Sequence, residues 1–284
     1  RTRAQSAPMG ALPLAGRVAL VTGSTDGIGK HTACRLAEAG ASVLVHGRSA
    51  GRVEEAAKEV RRRASGGAEV MELVADLSSI DETRAFAAAV AERAPELHLL
   101  SNNAGVFEQR HVVTPDGFES TWQVNVLAPF LLSGLLLPNL RAAADPRLLM
   151  VSSISQAGRM QWGNLHSEQG HSAHAAYSLS KLAVLMLAQE MHRRFGEAVP
   201  VNACDPGTVN TKMLLAGWGA CGVPVDRADD QFHLLADPSL AHRSGGYYVA
   251  QKPRPLSPAA ADPANADRLW ALCEAHTSFV FPYP

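Results

Sequence analysis

Tyr177-Ser178-Leu179-Ser180-Lys181 places a phenol and an ammonium four residues apart on a stretch with helical character. That spacing puts both groups on one helix face, a turn apart. A free phenol titrates near pH 10 and is a poor base at neutrality, and a neighbouring cation favours its ionised form. The pair is therefore a candidate proton donor and acceptor. Far upstream, Thr22-Gly23-Ser24-Thr25-Asp26-Gly27-Ile28-Gly29 reads as a glycine-rich turn between a strand and a helix. Such a turn can seat a dinucleotide pyrophosphate on backbone N–H groups. In this order the two motifs point to nicotinamide-dependent hydride transfer at a carbonyl or alcohol.

The glycines follow a G-x-x-x-G-x-G spacing, at Gly23, Gly27 and Gly29, with Ser24, Thr25 and Ile28 completing the expected cofactor cradle. Glycine at these positions permits a tight turn and close approach of backbone to ligand. The end of the second strand selects the cofactor. A carboxylate there would accept from the adenosine ribose hydroxyls, but this chain has Gly47-Arg48-Ser49. A guanidinium takes a 2′-phosphate bidentately, so Arg48 and Ser49 favour NADP(H) over NAD(H). Asp76-Leu77 and Asn103-Ala104-Gly105 end later strands, at the carboxyl edge where such sheets bind ligands. Asp76 is placed for the adenine amine. Asn103 reads equally as a cofactor contact and as a tie between strands.

Apolar runs alternate with helical periods. Strands are expected at 17–22, 41–46, 70–75, 97–101, 148–152, 199–203 and 247–250, and helices at 28–39, 53–64, 81–94, 118–137, 175–195, 226–235 and 267–275. Strands separated by helices of this length imply right-handed βαβ units. The fold class is α/β: a Rossmann-like, doubly wound, mostly parallel sheet of about seven strands flanked by helices. Residues 14–284 read as one domain after a flexible tail of residues 1–13.

Composition narrows the class further. The chain has 284 residues, 46% hydrophobic and 19% charged, which suits a globular enzyme rather than a disordered segment. A net charge of −1 offers no field for nucleic acid. Arg61-Arg62-Arg63 reads as a solvated helix end, with a phosphate patch as the alternative. Cys34, Cys204, Cys221 and Cys273 are scattered, which fits a reducing compartment and no zinc site. No run is long enough for a transmembrane segment; the leucine-rich stretch 131–140 is short and interrupted by Pro138. A soluble protein of cytoplasm or organelle matrix is expected. Residues 1–11 carry two arginines, a serine and no acid, so a remnant of a targeting segment, as for a plastid, is one reading.

These motifs together resemble the short-chain dehydrogenase/reductase family from about Leu14 to about His276. The motifs are Thr22-Gly23-x-x-x-Gly27-x-Gly29, Asn102-Asn103-Ala104-Gly105, Asn125, Ser153, Tyr177-x-x-x-Lys181 and Pro206-Gly207-x-x-x-Thr211. Within the family, Tyr177 to Ala183 and the tail from Gly246 to Trp270 are similar to the retinol-dehydrogenase-like group. The resemblance implies catalytic Asn125, Ser153, Tyr177 and Lys181. Tyr177 would be the general acid or base, and Ser153 would donate to the substrate oxygen. Lys181 would lower the phenol's pKa and bind the nicotinamide ribose, and Asn125 would hold a relay water. Pro206, Gly207, Val209 and Thr211 would hold the nicotinamide carboxamide. It also allows a homodimer built on helices 118–137 and 175–195, or a monomer.

On the substrate side, Met160, Trp162, Met213 and Trp218 suggest a bulky hydrophobic small molecule. His166, His171 and His174 read as rim or loop, with no metal site. Between Thr211 and Ser244 the chain looks shorter than in retinol-dehydrogenase-like members, so the lid is expected to be reduced and retinoid specificity is not implied. Two alternatives stay open: a non-catalytic NADP-binding sensor or scaffold, and an epimerase-type enzyme on the same fold.

Overall fold

The computed structural model describes residues 12–282. Most of the expected tail therefore lies outside the described residues, but Leu12 packs its side chain against the backbone of Gly40 and Gly66.

Short apolar segments form the strands because each is buried on both faces. Alternation in β1 (Val18–Val21), α1 (Gly27–Glu38), β2 (Ser42–Gly47), α2 (Ala50–Arg63), β3 (Val70–Val74), α3 (Ile80–Arg93) and β4 (Leu99–Asn102) follows the sequence reading closely. Asp26 caps α1 through the N–H of Gly27, and Ser79 caps α3 through that of Glu82. The next helical region is not the single helix expected over 118–137. It runs as α4 (Ser120–Trp122), a π-helical turn (Gln123–Leu127), α5 (Ala128–Leu135) and α6 (Leu137–Ala142). Glu119 starts it by accepting from the N–H groups of Thr121 and Trp122. Pro138 lies in the first turn of α6, where its missing N–H is tolerated.

β5 (Arg147–Val151), α7 (Ala173–Phe195), β6 (Val201–Asp205), α8 (Lys212–Gly217), α9 (Asp230–Ala236), β7 (Tyr247–Val249), β8 (Lys252–Arg254), α10 (Pro258–Ala261) and α11 (Pro263–Thr277) complete the described chain. The sheet has order β3-β2-β1-β4-β5-β6-β7-β8. Seven strands are parallel, as expected, and β8 adds an antiparallel eighth beside β7 through a turn in which Ala250 and Gln251 have φ of 50° and 62°.

Two apolar layers sandwich the sheet. Leu20, Leu44, Leu100 and Met150 point into the layer with α3, α5, α7 and α11, whereas Ala19, Val21, Val43, Val45 and Leu149 face α1, α2 and α9. Each fully buried Leu or Val contributes roughly 1.5–3 kcal/mol. The dimer contact expected on helices 118–137 and 175–195 has little surface to use. Ala128–Gly134 is wholly buried, α11 packs along α7, and Phe279 and Phe281 close against Gly134. Among the described residues no helix is long and apolar enough to cross a membrane.

Candidate active site

Between β1 and β4 the strand order reverses, and the loops leaving the carboxyl ends of the strands line one cavity of about 730 Å³. This is where a doubly wound sheet places its ligand. One end is built by Gly23, Thr25, Gly27, Ile28, Gly29, Arg48, Asp76 and Leu77, and the other by Ser153, Tyr177, Lys181, Pro206, Gly207, Val209 and Thr211. Asn103, Ala104 and Gly105 line the middle, and Met213 and Trp218 hang from the α8 segment.

The glycine turn is shaped for close approach. Gly23 and Gly27 have φ of 65° and 52°, and a Cβ on Gly23 would lie 2.9 Å from Ala104 Cα. On Gly29 it would lie 2.3 Å from Asn103 Nδ2. Asp26 takes the N–H of Gly27 at 2.8 Å, while the next N–H groups of α1 lack helical acceptors and point to the cavity end of the helix. Partial burial opposes its ionisation, but Lys212 at 2.6 Å, the Gly27 N–H and Arg52 at 3.2 Å hold the Asp26 carboxyl below its usual range. The residues present thus fit a pyrophosphate at this turn.

Other expected cofactor residues divide into contacts and braces. Arg48 is exposed on the cavity wall, with no hydrogen bond or ion pair among the described residues. Asp76 accepts from the N–H and hydroxyl of Ser78 at 2.9 and 2.8 Å. Asn103 ties strands together: its Nδ2 donates to Thr22 O at 2.8 Å and its Oδ1 accepts from Gln231 Nε2 at 2.8 Å. Ser24 does not line the cavity. It is fully buried and its hydroxyl accepts from the N–H of His46, so it braces the turn against β2. Ser49 also lies off the cavity lining, as the exposed N-cap residue of α2.

At the far end Tyr177, Ser153 and Lys181 converge, each less than a tenth exposed. Burial pushes the Tyr177 phenol up to about 12; its hydrogen bond with the Ser153 hydroxyl pulls down, and the nearby Asp205 pushes further up. Burial lowers Lys181 to about 8, opposed by Cys204 and Asp205. The Lys181 ammonium donates to Val151 O at 2.8 Å and lies 5.5 Å from the centre of the Tyr177 ring. Burial here outweighs the lowering of the phenol expected from Lys181.

Asn125 does not line the cavity. It sits in the π-helical turn behind the cavity wall, where its Oδ1 accepts from Val106 N–H at 2.8 Å and its Nδ2 donates to Val106 O and Ser180 Oγ at 3.1 and 3.0 Å. Its side chain clamps the loop after β4 to α7. Met160 and Trp162 do not line the cavity either: Met160 is buried in the core, and Trp162 lies under the guanidinium of Arg268, 4.4 Å from its ring centre. Beside Tyr177 the rings of Phe107, His174 and Trp218 cluster, of which Trp218 lines the cavity, with Phe107 and Trp218 5.7 and 5.5 Å from the Tyr177 ring. His171 and His174 donate from Nε2 to Glu108 O and Gly217 O, and His166 packs beside Phe118 and His276. Among the described residues no three His, Cys, Asp or Glu side chains converge on a possible metal position.

Four contributors went unread in the sequence: Asp26, His46, Arg52 and Asp205 all line the cavity.

A cavity at the strand-order reversal, a glycine turn at one end and a buried tyrosine beside a serine and a lysine at the other define a dinucleotide-dependent oxidoreductase. Residues 17–217 match the family model described as short chain dehydrogenase, and the chain belongs to that family. Within it the chain falls in the retinol-dehydrogenase-like group: it is 35% identical to human retinol dehydrogenase 14 over 287 residues, covering 91% of this chain and 85% of that protein. A solved structure of an uncharacterized protein from Mycobacterium paratuberculosis is 30% identical, with a TM-score of 0.79 over 95% of this chain and 96% of that one. A short chain dehydrogenase from Shigella flexneri, solved in complex with NADP, is 25% identical with a TM-score of 0.69, covering 85% of this chain and 100% of that one. The protein is an NAD(P)-dependent dehydrogenase/reductase acting on alcohol or carbonyl groups.

Proposed function

We propose that this enzyme uses NADP(H) to interconvert a carbonyl and an alcohol on a hydrophobic small molecule, with Tyr177 as the proton-transferring group. The observation that carries the reading is the buried Tyr177 phenol with Ser153 at the opposite end of the cavity from Arg48 and the glycine turn. A bound nicotinamide supplies or accepts the hydride. In reduction, the Tyr177 hydroxyl gives its proton to the substrate oxygen while Ser153 donates a hydrogen bond to that oxygen and stabilises its developing charge. In oxidation the same group acts as phenolate and accepts the proton of the substrate hydroxyl. Lys181 would hold the nicotinamide ribose, and Pro206, Gly207, Val209 and Thr211 the carboxamide. Asn125 acts as a positioning residue for the loop at Val106.

NADP(H) is favoured by Arg48, an unpaired guanidinium where a 2′-phosphate needs one and a carboxylate would repel it. A hydrophobic substrate is favoured by the lining of Val112, Val113, Ile154, Met213, Leu214 and Trp218. The test is NADPH consumption with retinal, aromatic aldehydes, diketones, quinones and steroids, in the wild type and in Tyr177→Phe. Tyr177→Phe keeps the ring and removes the proton, so turnover should fall by roughly a thousandfold or more while NADPH still binds. Undiminished turnover would refute the role of Tyr177, and cofactor binding without turnover of any carbonyl would favour a sensor.

A further inference from the structure

Asp205, the last residue of β6, is 4% exposed and lines the cavity beside the Tyr177 end. Its Oδ2 accepts from the N–H of Ile154 at 2.8 Å and its Oδ1 from the N–H of Gly207 at 2.9 Å. Both oxygens thus take backbone N–H donors, which suits an acceptor-only carboxylate, and neither forms an ion pair among the described residues. A buried charge is ordinarily paired or takes part in function. The groups that feel it are Tyr177 and Lys181 on α7, Cys204 on its own strand and Tyr247 on β7.

Lys181 is the cation at this end of the cavity, buried and held by Val151 O. A nicotinamide ring is neutral when reduced and carries one positive charge when oxidised. Beside a lone buried ammonium the oxidised ring would be repelled, whereas the reduced ring would be indifferent to it. A carboxylate fixed between the Ser153 loop and the Pro206–Thr211 loop cancels that repulsion without needing to move.

We propose that Asp205 is the counter-charge for the oxidised nicotinamide ring, setting the relative affinity of the site for the two redox forms of the cofactor. This rests on reading the cavity as a nicotinamide site. It predicts that removing the charge discriminates between the two forms, whereas removing a structural brace would weaken both alike.

The experiment measures Kd for NADP⁺ and NADPH by calorimetry in the wild type, Asp205→Asn and Asp205→Ser, with thermal melts to verify folding. Asn keeps the shape and one acceptor; Ser keeps a smaller acceptor for the Gly207 N–H. The expected result is a rise of about tenfold in the Kd ratio of NADP⁺ to NADPH in both variants. An unchanged ratio, with both affinities falling together, would overturn the proposal. Failure of both variants to fold would also overturn it, because the carboxylate would then serve to hold the two loops. A wild type that binds neither form would overturn the nicotinamide reading itself, a distinct outcome visible before any variant is made.

Discussion

His46 offers a quantitative handle on the dinucleotide end of the cavity. It is 2% exposed, its Nδ1 accepts from the Gly23 N–H at 3.1 Å, and its Nε2–H donates to Ala75 O at 3.2 Å, with the tilted Phe86 ring centred 4.3 Å away. Burial lowers its pKa from 6.5 to about 4, against smaller opposing effects of Ala75 O and Asp76. Protonation would place a hydrogen on Nδ1 facing another N–H. The unfolded chain, titrating near 6.5, therefore binds the proton first as pH falls. Stability from the neutral ring is full above pH 6.5 and is lost as pH drops to about 4. At about 1.4 kcal/mol per pH unit this interval corresponds to about 3 kcal/mol. Urea denaturation of the wild type and His46→Gln at steps from pH 7 to 4 isolates it, because other titrating groups are common to both. The wild type should lose about 3 kcal/mol more than the variant over that range. Parallel stability curves would refute the assigned bonding of the ring.

Three further outcomes are expected. Arg48→Ala should weaken NADPH binding by about tenfold or more and leave NADH nearly unchanged, since only one carries the 2′-phosphate; equal losses in fluorescence titrations would remove the NADP assignment. Trp218→Ala strips the aromatic wall 5.5 Å from Tyr177 and should raise KM for apolar carbonyls by about tenfold, from roughly 1–2 kcal/mol of lost burial, with a much smaller change in NADPH affinity. Gly134→Ala would put a Cβ 2.2 Å from the Phe279 ring, so a melting experiment should show about 1–3 kcal/mol of destabilisation; an unchanged melting temperature would mean that the Phe279–Phe281 segment does not dock there.

How much of this was legible depends on what kind of interaction fixes each residue. Strands such as Val18–Val21 and Ser42–Gly47 announce themselves because burial on both faces demands continuous apolar residues, and the following glycine marks the turn. The convergence of Ser153, Tyr177 and Lys181 follows from that topology. The π-helical turn at Gln123–Leu127 left no trace, since one extra residue in a helical turn barely disturbs the apolar period. β8 hid because Lys252, Pro253 and Arg254 are all exposed and bear no strand-like alternation. Met160 and Trp162 misled because apolar residues in a long loop suit a pocket rim and a core equally; which they serve is decided by tertiary packing. Asp205 and His46 were silent because their roles lie in hydrogen bonds to residues distant in sequence. The phenol's direction of titration likewise needed the burial that only the fold supplies.

The two outermost strands bear on the protein's behaviour at high concentration. A strand at a sheet's margin offers open amides and carbonyls to any neighbouring molecule. On one margin Pro253 has no amide hydrogen to offer, and Lys252 and Arg254 place like charges beside it. On the other, Arg61 donates to Val70 O at 3.0 Å and pairs with Glu72 at 2.7 Å, covering the backbone of β3. Eight strands thus end in two guarded borders, and the molecule resists the edge-to-edge stacking from which fibrils and precipitates grow.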